Sequence, residues 1–221
     1  MPRLARTATI LPNCPHHVVL RGNNRRRLFS YPYDYRLFLR LLESVQIKAS
    51  VTVHAHCLMP NHVHLLLTPR DSASLAVFIK RVAQRFAQHR NRDGRGTGKL
   101  FEQRYYGAPI QSEAHLAVAT MYIELNPVRA GLRALPDAYR WSSARRHLSV
   151  PHDEADQVRV WAPSLWYGAL AADAVGRGNA YRVLMDDSLA RDAAEMLEAW
   201  VALDAEAAGS AARRPNRGRA A

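Results

Sequence analysis

Apolar residues recur along this chain with two alternating periods. Residues 16–24, HHVVLRGNN, have a β-branched and leucine centre that runs into Gly-Asn-Asn, the pattern of a strand entering a turn. In YDYRLFLRLLESVQIKAS, Leu37, Leu41 and Val45 fall at helical spacing behind Asp34, which predicts a helix with one face on a sheet. Residues 51–59 and 62–68, VTVHAHCLM and HVHLLLT, are two strand-like runs joined by Pro60-Asn61, a turn pair, and so form a hairpin. Residues 74–90 place Leu75, Phe78 or Ile79, Val82 and Phe86 on one stripe and Lys80, Arg81, Arg85 and Arg90 elsewhere, which is an amphipathic basic helix. NRDGRGTGK follows as a flexible basic loop, and LFEQRYYGAPI then has the character of another strand. Ser112 caps a last helix, EAHLAVATMYIEL, which Asn126-Pro127 is expected to end, because proline disfavours helical geometry at the residue before it.

The order strand, helix, strand, strand, helix, strand predicts an α+β, ferredoxin-like (split βαβ) antiparallel sheet covered by helices, with one helix added. That core is expected over residues 1–148. The signal weakens from about Ala134, and residues 149–208 are expected to be a helical C-terminal extension. Residues 209–221, which end in AARRPNRGRAA, have the composition of a disordered basic tail. No internal repeat is present.

The 221 residues are 48% apolar, enough for one ordinary core. Lys and Arg total 31 against 19 Asp and Glu, a net charge of +12, so the summed field attracts polyanions and nucleic acid is the leading partner class. Two cysteines, Cys14 and Cys57, make neither a disulfide framework nor a metal-ligand spacing. No apolar run approaches membrane-spanning length or a signal-peptide core, so a cytoplasmic, nucleoid-associated protein without membrane contact is expected.

The hairpin carries the first chemical signal. Period two sends His62, His64 and Leu66 to one face and Val63, Leu65 and Leu67 to the other. A lone histidine on an apolar strand is ordinarily a hydrogen-bonded structural residue. Two at i and i+2 lie roughly 7 Å apart at Cα, close enough for both imidazoles to meet one cation. His54 and His56 form a second His-X-His on the neighbouring strand, so an all-histidine zinc site built from His54, His56, His62 and His64 is a competing arrangement. Spacing alone does not choose between the pairs.

A second constellation is MYIELNPVRAGL, where Tyr122 and Asn126 stand four apart on one helical face. A carboxamide oxygen is a hard ligand suited to Mg2+ or Mn2+, and mixing it with imidazole lowers the preference for zinc. A phenol beside such an ion can attack a polarised phosphodiester and form a covalent phosphotyrosine. Against this, Tyr122 alone would be an ordinary packed aromatic.

The segments HVVLRGNNRRRLF, LMPNHVHLLL, LFEQRYY and YIELNPVRAGL, in this order, resemble the HUH single-tyrosine transposases, and NPVRAGL with the downstream WSSARRH resembles their REP-associated tyrosine transposase branch. The resemblance spans about residues 14–148. It implies a metal-dependent single-stranded DNA endonuclease and strand transferase acting at palindromic, REP-like hairpins. His62, His64 and Asn126 would hold Mg2+ or Mn2+, and Tyr122 would be the nucleophile that retains the 5′ phosphate. Insertion-sequence members commonly carry glutamine where this chain has Asn126, so a dimer with exchanged tyrosine helices is not carried over and a monomer is expected.

For DNA contacts, Arg21, Asn23, Arg25 and Arg26 of the basic turn, Gln103 and Arg104 of EQRYY, and Arg129 and Arg145 are the candidates, since cations can follow phosphates while aromatic rings stack unpaired bases. His54 and His56 fall outside the resembling ligand set and are expected to orient ligands or touch DNA. The non-enzymatic alternative is a single-strand binding module of RNA-recognition-like topology in which the histidines are structural.

Overall fold

The computed structural model describes residues 10–92, 94, 98–102, 105–153, 156 and 161–190. Four strands form one sheet: β1 (His16–Arg21), β2 (Val51–Met59), β3 (His62–Pro69) and β4 (Tyr106–Pro109), in the order β2-β3-β1-β4. Every neighbouring pair is antiparallel. With α1 (Pro32–Ala49) between β1 and β2, and α2 (Ser72–Arg92) between β3 and β4, this is the split βαβ plan expected from the pattern. The strand expected across LFEQRYYGAPI is shorter: only Tyr106–Pro109 pairs along β1, while Phe101 makes an isolated bridge to Gly22.

Helices α1 and α2 pack on each other through Phe38 and Phe86, whose rings meet edge-on at 5.1 Å, with Phe29 against both. A buried ion pair joins them. Asp34 accepts the backbone N–H groups of Ser30 and Tyr31 at 2.8 and 3.0 Å, and the Arg90 guanidinium at 3.0 Å, so one carboxylate both starts α1 and ties it to α2.

Helix α3 (Glu113–Arg129) starts as expected, with the Ser112 hydroxyl accepting the His115 N–H. Its end is different, since the helix runs through Asn126-Pro127 rather than stopping there. Pro127 forfeits one N–H, but the ladder resumes with Ala130 N–H donating to Asn126 C=O at 2.9 Å. The stop comes at Gly131, at φ +66°, where Gly131 N–H reaches Val128 C=O and Leu132 N–H reaches Pro127 C=O, a Schellman closure. The extra turn is held because α3 is buried on several sides: Leu116, Met121, Ile123, Glu124 and Leu125 all leave solvent.

Residues 141–143 and the described part of the extension cover what would be bare backbone on β2. Leu58 N–H donates to Trp141 C=O, Ser143 N–H to His56 C=O and Ala162 N–H to Val53 C=O. An exposed strand edge is thereby satisfied. The short helices α4 (Ala144–His147) and α5 (Leu165–Gly168) and the longer α6 (Ala174–Ala190) gather around Glu124 of α3. Its buried carboxylate accepts from Ser143 Oγ, from His147 Nδ1 at 2.7 Å and from Tyr181 Oη at 2.9 Å. Tyr181 is fully buried, so this stretch of the extension shares the core instead of hanging from it. Residues 191–208 of the expected extension and the tail 209–221 lie outside the described residues.

Candidate functional site

Strand register builds the site. On β1, His17, Val19 and Arg21 lie opposite Leu66, His64 and His62 of β3, so the face carrying the two histidines also carries His17 and Arg21. Across this face lies α3, and the Tyr122 ring meets His64 edge-on at 5.7 Å and His17 edge-on at 5.8 Å. His62 and His64 are themselves edge to face at 4.8 Å. Tyr122 of the second constellation is thereby brought against the histidine pair of the first.

Each histidine is held at Nδ1. His62 Nδ1 lies 2.7 Å from Asn61 Oδ1, and His64 Nδ1 lies 2.9 Å from His17 Nε2. Burial pushes the His62 imidazole down to about 4, with the Arg21 guanidinium adding to it, and burial also holds His17 near about 4. His64 is pushed well below the ordinary range by burial, then by His17, His62 and Arg21. All three rings are neutral at pH 7, the protonation state a metal ligand needs. Asn126 donates its amide N–H to the Tyr122 backbone carbonyl at 2.8 Å, so its oxygen is the atom of that side chain that could face an ion. Two neutral imidazoles and an amide oxygen suit a divalent ion bound by mixed nitrogen and oxygen donors.

The four-histidine arrangement does not form. His54 sits at the irregularity between Val53 and Ala55, and both its ring nitrogens are engaged, with Ala162 C=O and Thr68 Oγ1, each at 2.8 Å. Among the described residues no three His, Cys, Asp or Glu side chains group to hold a metal. His56 is wholly buried, away from any DNA-facing surface.

Of the expected DNA contacts, Arg21 is exposed at the end of β1 opposite His62, and Asn23 and Arg25 form a short 3-10 turn directly after it. Arg26 reaches back to the Lys99 carbonyl at 3.4 Å. This turn requires Gly22, because a Cβ there would lie 2.2 Å from the Arg26 carbonyl oxygen. Arg129 is exposed with its guanidinium over the Tyr122 ring at 5.0 Å. Arg145 donates Nε to the Asp137 carbonyl at 2.6 Å, beside the turn Pro136–Ala138. Gln103 and Arg104 lie outside the described residues. His17 and Asn61 are absent from the sequence-derived site. His17 carried a period-two signal, sharing its strand face with Arg21, but only the β1–β3 register sets it against His64.

No described helix is long and apolar enough to cross a membrane. Among known proteins, the fold is similar to the structure of a REP-associated tyrosine transposase bound to a REP hairpin, with a TM-score of 0.54 and 16% identity over 75% of this chain and 93% of that one. A candidate transposase from Deinococcus radiodurans R1 shares 21% identity over 56% of this chain and 96% of that one, with a TM-score of 0.38. No curated protein matches. The family model described as "Transposase IS200 like" matches residues 11–126, a span that takes in β1, the hairpin histidines, Tyr122 and Asn126. By that match, over more than half of its 221 residues, the chain belongs to the IS200-like transposase family.

Proposed function

We propose that this transposase-family protein is a single-stranded DNA endonuclease and strand transferase of the REP-associated branch, working at hairpin DNA through a 5′-phosphotyrosine. The observation that carries the reading is the meeting of the Tyr122 and His64 rings at 5.7 Å, with His62 beside them and Asn126 one helical turn beyond the tyrosine. The segments NPVRAGL and WSSARRH and the hairpin-bound structural neighbour support the choice of branch and substrate.

His62, His64 and Asn126 would hold Mg2+ or Mn2+, which supplies Lewis-acid polarisation of the scissile phosphate. Tyr122 then attacks phosphorus through its phenolic oxygen. The P–O3′ bond breaks, the proton lost by the phenol ends on the departing O3′, and a free 3′-OH leaves while the 5′ phosphate stays on tyrosine. Attack by a 3′-OH on that phosphotyrosine reverses the step and joins the strands. Arg129, whose guanidinium lies over the phenol ring, would supply a cation to charge developing on the phosphate. Arg21, Asn23, Arg25 and Arg26 would follow the strand's phosphates, with Gln103, Arg104 and Arg145 further along it. The protein acts as a monomer in the cytoplasm.

The test is denaturing electrophoresis after incubation with labelled hairpin DNA and Mn2+. Wild type should give a covalent protein–DNA band, and Tyr122→Phe should give none while binding the hairpin as before. Tight hairpin binding with no covalent band from wild type would replace this reading by the non-catalytic single-strand binding module.

A further inference from the structure

We propose that His17 and Asn61 are the positioning residues of this site: each holds the Nδ1 edge of one β3 histidine, so that His62 and His64 are fixed as Nδ1–H tautomers with both Nε2 lone pairs turned to one divalent cation. The inference rests on reading His62 and His64 as metal ligands, and it adds what makes them competent.

His-X-His on a strand guarantees only that two side chains share a face. Each imidazole still turns about two torsions and exists as two neutral tautomers, of which one presents a lone pair at a given nitrogen. For His62 the choice is made by Asn61. An amide oxygen accepts and cannot donate, so the 2.7 Å contact makes His62 Nδ1 the donor, and a neutral ring protonated there is bare at Nε2. The Asn61 amide is oriented in turn by its NH2 group, 3.4 Å from the Arg25 carbonyl.

For His64 the partner comes from another strand. His17 Nε2 lies 2.9 Å from His64 Nδ1, with the two rings 17° from parallel and their centres 5.2 Å apart. His17 is buried and braced edge-on by Tyr122, so it has little freedom to turn away. Two hydrogen-bond directions are chemically open. If His64 donates, its Nε2 is bare and can ligate; if His17 donates, His64 carries its hydrogen on Nε2 and cannot ligate there. A purely structural contact is served by either direction, whereas a ligand-orienting one requires the first. Since Asn61 imposes that tautomer on His62, the proposal assigns the same one to His64. The site is then assembled from β1, the β2–β3 turn, β3 and α3, with His17 touching both a ligand and the nucleophile's ring.

Two measurements on the full-length, metal-free protein test this. Long-range 1H–15N correlation spectra at pH 7.5, with the histidines assigned by single substitutions, should report Nδ1–H tautomers for both His62 and His64. Finding the hydrogen of His64 on Nε2 would overturn the proposal without any variant having to fold. Mn2+ binding without DNA, read from the electron paramagnetic resonance of the free ion, should be about 10- to 100-fold weaker in His17→Leu, with the fold retained by circular dichroism. His17→Gln, which restores an acceptor oxygen near the same place, should recover to within about threefold of wild type. His17→Leu binding Mn2+ like wild type, while His64→Ala loses it, would sink the positioning role and leave the ligand reading intact. His64→Ala binding like wild type, or no Mn2+ uptake by wild type, would sink the ligand reading and the positioning role with it.

Discussion

Replacing Glu124 should be among the most damaging single changes available outside the candidate site. Its carboxylate has no solvent exposure and gathers three donors from two segments: Ser143 and His147 at the two ends of α4, and Tyr181 in α6. Each hydrogen bond to a charged acceptor contributes about 1.5–3 kcal/mol, and truncation also leaves buried donors without a partner. These terms overlap, and the measured cost of stripping one member from a buried charged network is about 3–5 kcal/mol. Glu124→Ala should therefore lose about 4 kcal/mol, which for a chain of this size lowers the thermal midpoint by roughly 8–16 °C. Glu124→Gln keeps the shape but turns an NH2 toward one of the donors, so about 2 kcal/mol is expected. Tyr181→Phe removes a single one of these bonds and should cost about 1.5 kcal/mol. Urea unfolding of the metal-free protein, followed by circular dichroism, ranks the three. A loss below about 1 kcal/mol for Glu124→Ala, or equal losses for Glu124→Ala and Tyr181→Phe, would refute the idea that this carboxylate fastens the extension to the tyrosine helix.

Acid should unfold the protein partly through His56, whose imidazole is pushed down to about 3 by burial, then by Arg146 and His147. Because the unfolded chain binds the proton near 6.5 and the folded one does not, stability is full above pH 6.5 and falls as pH drops toward 3, by on the order of 4 kcal/mol across about three units. Neither ring nitrogen of His56 has a protein hydrogen-bond partner among the described residues, so His56→Leu should flatten that dependence at little cost at pH 7; an unchanged acid slope in urea titrations would contradict this. Asp34→Asn should destabilise by about 3–5 kcal/mol, since Arg90 would be left buried without its counter-charge, and a thermal midpoint within a degree of wild type would contradict it. Gly22→Ala, with its methyl 2.2 Å from the Arg26 carbonyl oxygen, should displace the basic turn and weaken hairpin binding while the hydrophobic core survives; unaltered affinity in a fluorescence anisotropy titration at fixed salt would show the turn to be more pliant than its packing implies.

Period and punctuation were enough to place the strands, helices and hairpin, because a half-buried sheet demands alternation and a helix on a sheet demands a stripe. For the same reason His62 and His64 were legible as a pair, and Tyr122 and Asn126 as another. The end of α3 was not legible. Proline costs a helix one bond locally, and that cost was outweighed by burial of Leu125 and Pro127 in contacts remote in sequence. Nor could the pattern show that Tyr181 belongs to the core, since it answers a carboxylate 57 residues earlier in the chain.

The site divides along the same line. By itself the sequence determined which residue types could hold an ion and attack a phosphate, and on which faces of their own elements they stand, because those facts depend only on local periods of two and 3.6 residues. It left four histidines in contention. Tertiary structure gave them different surroundings: antiparallel register put His17 beside His64, the turn put Asn61 beside His62, and the packing of α3 brought Tyr122 to the same face, while Thr68 and Ala162 occupied both nitrogens of His54. Register and helix placement are set by the whole core at once, so these pairings are written in no single stretch of the chain.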